Sequence, residues 1–199
     1  MRRSLPRPLR RLIRDTSGSV SIEMTFVVTL MCLVTGGAVE LGWAYNQHSS
    51  AQTAARHGAR LAATLDPVSP SLSNRSVALG AYNIDCQAGR GSCTGGSYNG
   101  AVMARIVFGP DGDGACGATD QPRRGMCDVY ADLRPEQVSI RYTSTGLAGN
   151  NASGNPVPVI EVTIAERPLR TVLLGPLLPG KFARLPEVSA VLMGEDLDG

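Results

Sequence analysis

From Met24 to Val39 the chain runs sixteen residues without a formal charge, closed by Glu23 on one side and Glu40 on the other. Ahead of it, six arginines stand within the first fourteen residues: Arg2, Arg3, Arg7, Arg10, Arg11 and Arg14. A basic arm followed by an apolar run reads as a membrane span with a set orientation. A helix rises about 1.5 Å per residue, so Ile22 to Tyr45 covers roughly 36 Å, against a hydrocarbon core of about 30 Å. The uncharged stretch alone covers only about 24 Å, which puts both glutamates near the interfaces or requires their neutralisation. Trp43 and Tyr45 supply an aromatic anchor at one end, with Glu40 read as an interfacial residue beside them. The positive-inside rule keeps the arm in the cytoplasm and sends Asn46 to Gly199 across the membrane.

Charge is partitioned in the same way. The chain carries a formal +2, yet 13 basic and 16 acidic residues follow Gly18. The basic character belongs to the arm, where it sets topology, and gives no ground for a nucleic-acid partner. Arg2-Arg3 is followed by Pro6 and Pro8 rather than an apolar stretch, unlike a twin-arginine export signal. A cleaved secretory signal fits poorly too. The run is longer than the usual apolar region, ends in Trp43-Ala44-Tyr45, and has no Ala-x-Ala site behind it. Beyond Tyr45 the helical pattern continues: Gln47, Ala51, Ala54, Ala55, Gly58, Ala59, Ala62 and Ala63 recur at three- and four-residue spacings. No proline interrupts Ser19 to Leu65, so one long helix is expected, half in lipid and half outside, stopped by Asp66-Pro67.

The cysteines divide by compartment. Cys32 lies in the apolar run, while Cys86, Cys93, Cys116 and Cys127 all fall on the outer side. Four thiols in an oxidising space allow three pairings, and their spacings favour two local loops over crossed bridges. Zinc fails on spacing, because there is no Cys-x-x-Cys and neither His48 nor His57 neighbours a cysteine.

The rest reads coarsely. Asp66 to Ser73 is a linker, and Ser73 to Ile84 a short helix capped by Ser73. Cys86 to Gly100 and Gly109 to Gly125 read as loops, and Gly146 to Pro156 as a turn segment. Strands are expected at Ala101 to Phe108, Cys127 to Leu133, Gln137 to Ser144, Val157 to Glu166 (ended by Pro168) and Glu187 to Met193. Leu173 to Pro179 is an apolar stretch broken by prolines. The expected fold class is α+β: a long N-terminal helix, its first half transmembrane and its second periplasmic, then a small mixed domain with an antiparallel sheet and disulfide-bonded loops. The divisions are 1–18, a cytoplasmic basic leader; 19–65, the transmembrane and extended helix; and 66–199, the outer α+β domain.

Catalytic signals are lacking: no hydrolase elbow, phosphate loop or dinucleotide fingerprint is present. Asp111-Gly-Asp-Gly114 opens like a calcium loop but lacks the third ligand and the terminal glutamate. The two histidines, nine apart, read as solvent-facing. No cofactor and no metal are expected, and the chain does not read as an enzyme. On the helix, Ala38 and Gly42 form a small-xxx-small pair that lets another helix approach, with Gly36 and Gly37 a turn earlier. Arg56 and Arg60 put two cations on one face, read as solvated.

The junction Gly18-Ser-Val-Ser-Ile-Glu23 leads directly into the apolar run. Further on stand Val39-Glu-Leu-Gly-Trp-Ala-Tyr45 and Ala51-Gln-Thr-Ala-Ala-Arg-His-Gly-Ala-Arg60. In these stretches the sequence resembles type IV pilin-like proteins, specifically the TadE-like family of Flp (tight adherence) pilus systems. A weaker match lies in Val162-Thr-Ile, Pro176-Leu-Leu-Pro179 and Val188-Ser-Ala-Val191. The resemblance implies a prepilin peptidase substrate cut between Gly18 and Ser19, with Glu23 kept near the new N-terminus. A lipid-buried carboxylate is costly, and a free amine on a neighbouring subunit neutralises it during lateral assembly. Met24 stands where the family commonly has an aromatic residue. The resemblance also leaves a partner contact open for Glu40. It implies other pilin-like subunits and the peptidase as partners, an inner-membrane single-pass location, and entry into a surface pilus. The competing reading is an uncleaved single-pass protein whose periplasmic domain binds a partner or ligand.

Overall fold

The computed structural model describes residues 17–73, 81–110, 114, 116, 124–144, 157–171 and 184–193. Helix α1 runs unbroken over Ser17–Thr64. A 3₁₀ turn follows at Pro70–Ser73, then strands β1 (Tyr82–Gln87) and β2 (Ser92–Thr94) and helices α2 (Gly100–Phe108) and α3 (Met126–Val129). After a second 3₁₀ turn at Pro135–Gln137 come β3 (Val138–Ser144), β4 (Val159–Ile164), β5 (Arg167–Pro168), β6 (Arg184–Leu185) and β7 (Val188–Met193). Five strands form one antiparallel sheet in the order β2-β1-β3-β4-β7, and β5 pairs with β6 apart from it. The expected α+β class, with a long helix leading an antiparallel sheet, is the observed one.

The register explains the core. Ile84, Tyr142, Ile160 and Leu192 lie in one cross-strand row, and Cys86, Ile140, Val162 and Ala190 in the next. Side chains alternate along a strand, so these rows share the inner face, where Ile84, Cys86, Ile140, Tyr142, Ile160 and Val162 are buried. Between the rows, on the outer face, Arg141 pairs with Asp85 and Glu161, each at 3.3 Å.

The outer half of α1 lies on the inner face. All eight positions of its small-residue pattern, from Gln47 to Ala63, are buried. Methyl-sized side chains let the helix axis come close to the sheet, where larger ones would hold it off. Gly58 is the tightest point against α3, since a Cβ there would stand 2.8 Å from Met126 Cγ. The link after α1 is packed as well: Val68 is fully buried, and its N–H donates to the Tyr142 hydroxyl at 3.2 Å.

Several sequence expectations are corrected. Ala101 to Phe108 lies in a helix rather than a strand. Asn99 caps it, accepting from the N–H groups of Ala101 and Val102, and the pairs Val102-Met103 and Ile106-Val107 recur one turn apart on the buried side. Cys127 to Leu133 begins in the single helical turn of α3, with Asp128 accepting from the Gly125 N–H at 2.8 Å. Tyr82 to Ile84, expected to end a helix, open β1, because Ile84 and Cys86 must face the core from alternate positions. The expected loop from Cys86 holds the end of β1 and all of β2. Beyond β4, Arg167 and Pro168 make a short strand with Arg184 and Leu185. The turn segment 146–156, the stretch 173–179 and most of 109–125 lie outside the described residues.

Both cross-links are local, as the spacings favour. Cys86 and Cys93 are register partners across the β1–β2 hairpin, with Cα atoms 4.0 Å apart. Cys116 joins Cys127 at the start of α3, Cα to Cα 5.4 Å.

Two predictions follow from this packing. A Cβ on Gly125 would stand 2.6 Å from the Val107 carbonyl oxygen and closer still to Phe108 and Gly109 backbone, none of which can rotate away. Gly125→Ala is therefore expected to cost about 2 kcal/mol or more, and Gly58→Ala much less because the flexible Met126 yields; melting of the detergent-solubilised variants reads the difference. Burial pushes the Tyr142 phenol up from its usual 10.0 to about 12, with the hydrogen bond from Val68 offsetting part of the rise. A folded-state pKa above the unfolded one gives stability that is complete below about pH 10 and lost as pH rises toward 12. Wild-type melting temperature should fall over that window, and Tyr142→Phe should lack this part of the fall.

Candidate functional site

The surface most in need of explanation is the first half of α1. Val20, Ile22, Met24, Phe26, Leu30, Met31, Leu33 and Val34 are all more than half exposed, and Val39, Leu41 and Tyr45 continue the exposed apolar surface outward. None of the most apolar eighteen-residue window is covered by the rest of the protein, and the helix is long and apolar enough to cross a membrane. A soluble monomer does not leave so large an apolar surface in water. The threonine hydroxyls on this half are already satisfied locally. Thr25, Thr29 and Thr35 each donate a hydroxyl to the carbonyl four residues back, at 2.7 Å, so none of the three needs water.

Glu23 is exposed on this apolar surface, one turn from the start of the described side chains. Gly18 and Ser19 fall in the first turn of α1. Ala38 and Gly42 are exposed, and a Cβ built on Gly42 or Gly37 meets nothing within 4 Å, so the small-residue pair is open to another helix. Trp43 is 47% exposed and Tyr45 74%. Glu40 differs from its aromatic neighbours, since only 7% of it is exposed. It lies on the stripe through Ala44 and Gln47 that the folded part of the chain covers.

Farther along, Arg56 and Arg60 are both exposed, on the side away from the sheet. His57, expected to face solvent, is half-buried, and its Nε2–H donates to the Arg124 carbonyl at 2.6 Å, tethering the chain ahead of α3. His48 is half-buried too, with Nε2 3.1 Å from Gln52 Nε2. Among the described residues no group of three or more His, Cys, Asp and Glu side chains is placed to hold a metal ion. Cys32 is a free thiol, exposed on the apolar half.

Gln47, by its spacing a helix-face residue, makes a long-range contact. Its amide bonds both ways with the backbone of Arg170, Nε2 to the carbonyl at 2.9 Å and Oε1 from the N–H at 3.2 Å. The amide thereby fixes the segment after β5 against the helix just beyond Trp43.

Residues 18–60 match the family model for TadE-like protein. The matched stretch lies wholly within α1, from the junction at Gly18 through Glu23, Glu40 and the alanine face to Arg60. Its extent agrees with the two stretches that carry the resemblance in the sequence. No curated protein and no solved structure matches the chain. The TadE-like match thus covers the exposed apolar half of the helix and most of its sheet-bound half, and stops short of the sheet.

An arginine at Leu30, 62% exposed near the middle of the apolar half, separates a lipid-facing surface from a solvent-facing one. Leu30→Arg is expected to cost about 2.5–3.5 kcal/mol of insertion and to lower the fraction retained in carbonate-washed membranes. On a water-facing helix the same change would leave that fraction untouched.

Proposed function

We propose that this chain is a minor pilin or pseudopilin-like component of a Flp-type (tight adherence) pilus or a related secretion assembly. It is anchored and assembled through α1 and presents its disulfide-bonded domain on the outer side of the inner membrane. The observation that carries this reading is the bare apolar half of α1 lying inside the TadE-like match. A TadE-like segment points to a structural component associated with a Tad pilus. The rigid continuity of α1 suits that role, because the lipid-exposed half and the domain-bearing half are one rod. Neighbouring rods pack first where side chains are smallest, at Ala38 and Gly42.

In this reading prepilin peptidase cuts after Gly18 and leaves Ser19 with a free amine. Glu23, on the apolar surface, carries a carboxylate that lipid penalises until a cation meets it. The amine of an adjacent subunit is such a cation, so neutralisation drives lateral assembly.

Intact mass of the protein recovered from membranes tests the processing step. Loss of Met1 to Gly18 is expected, whereas a full-length N-terminus supports the uncleaved anchor and contradicts the proposal. In cells that assemble the pilus, Glu23→Ala should reduce the amount of this chain in the sheared pilus fraction several-fold. Normal entry of the variant would remove the neutralisation step.

A further inference from the structure

We propose that a cavity under the β3 end of the domain binds the phosphate group of an anionic membrane lipid, an inference that rests on α1 being a retained membrane anchor. The cavity, of about 190 Å³, has Arg134, Arg167, Arg170, Tyr130, Gln137 and Asp132 in its walls. Arg167 sets its chemistry. The residue is only 2% exposed, yet among the described residues none of its three guanidinium nitrogens has a hydrogen-bond partner. The Tyr130 ring, with its centre 5.1 Å from the guanidinium carbon, makes a cation–π contact but supplies no counter-charge. A guanidinium stays protonated at any physiological pH, so an unpaired one in a protein interior calls for an anion.

The remaining wall points the same way. Asp132 is the one acid among the described lining residues, and Arg170 engages it at 2.7 Å. That leaves Arg134 and Arg167 lining the space with no further carboxylate among the described wall residues. Two guanidinium groups in the walls of a cavity many times the size of a single water offer the donors that a phosphate's oxygens accept.

Free phosphate and a lipid headgroup share this chemistry, and position favours the lipid. Gln47 clamps the Arg170 backbone one helical turn, about 5.4 Å, beyond Trp43. The headgroup layer extends about 5–8 Å past the hydrocarbon core on each side. A neighbouring cavity of about 160 Å³, lined by Trp43 and Asn46, shares the Tyr130 and Asp132 walls. The aromatic anchor and the arginines therefore line adjacent cavities.

The test uses the full chain in detergent, mixed with phosphatidylglycerol or with diacylglycerol of the same acyl chains and examined by native mass spectrometry. Inorganic phosphate is titrated separately by calorimetry. One phosphatidylglycerol is expected to be retained, with diacylglycerol bound at least about tenfold more weakly. Arg167→Met should lower phosphatidylglycerol retention about tenfold or more, and Arg134→Gln, exposed and outside the core, about threefold. Diacylglycerol binding should stay unchanged in both variants. Equal retention of the two lipids, or phosphatidylglycerol retention indifferent to both substitutions, would overturn the proposal while leaving the anchor intact. Inorganic phosphate binding as tightly as the lipid would overturn the lipid as its source. A chain absent from membranes altogether would instead remove the anchoring reading itself.

Discussion

The structure depends on how closely α1 can lie against the sheet. From Ala51 to Ala63 the helix offers buried methyl groups to the sheet, chiefly to β4 and β7, and one bare glycine to Met126 of α3. Dispersion forces fall off steeply with separation, so a helix that approaches this near gains more from each contact than one held away by longer side chains. The same helix then continues, without a break, into a half that no protein covers. Burial on one end and bareness on the other are thus imposed on a single rigid element, and the domain's position relative to the apolar surface follows from that alone.

Around this contact the domain is stabilised by short-range devices suited to an aliphatic core with few aromatics. Disulfides close the β1–β2 hairpin and tie the start of α3. Tyr142 reaches from the middle of the sheet to the Val68 N–H in the link after α1. Gln47 performs the matching task at the other end, joining the helix to the segment after β5. The two polar ties hold opposite ends of the docked half, and both use backbone partners, so neither depends on a second side chain being held in place. Arg167 stands apart as a buried cation whose complement the described chain does not supply.

Much of this was legible in the sequence, for reasons that differ by element. The length of α1 and its buried face could be read because small residues repeat with helical period over four turns, which no strand or loop produces. The strands β3, β4 and β7 announced themselves through β-branched alternation. Helix α2 was misread because Val102, Ile106, Val107 and Phe108 are strand-favouring residues, and tertiary contact with α1 and α3 overrode that preference; Asn99 was the available signal. Helix α3 is one turn long, too short for any period to show. The placement of Gly18, Ser19, Glu23, Ala38 and Gly42 on one helix was foreseeable from the absence of any break between them. The arginine cavity was not, since Arg167 meets Tyr130 only after the chain has folded.

Cys32, a free thiol in the middle of the uncovered half of α1, offers a native reporter for the central claim. A nitroxide attached there, in the full chain reconstituted into lipid vesicles, can be challenged with molecular oxygen and with a water-soluble nickel chelate. The account predicts frequent collisions with oxygen and very few with nickel, the reverse of a label at the exposed Arg56. Nickel accessibility at Cys32 equal to that at Arg56 would contradict it.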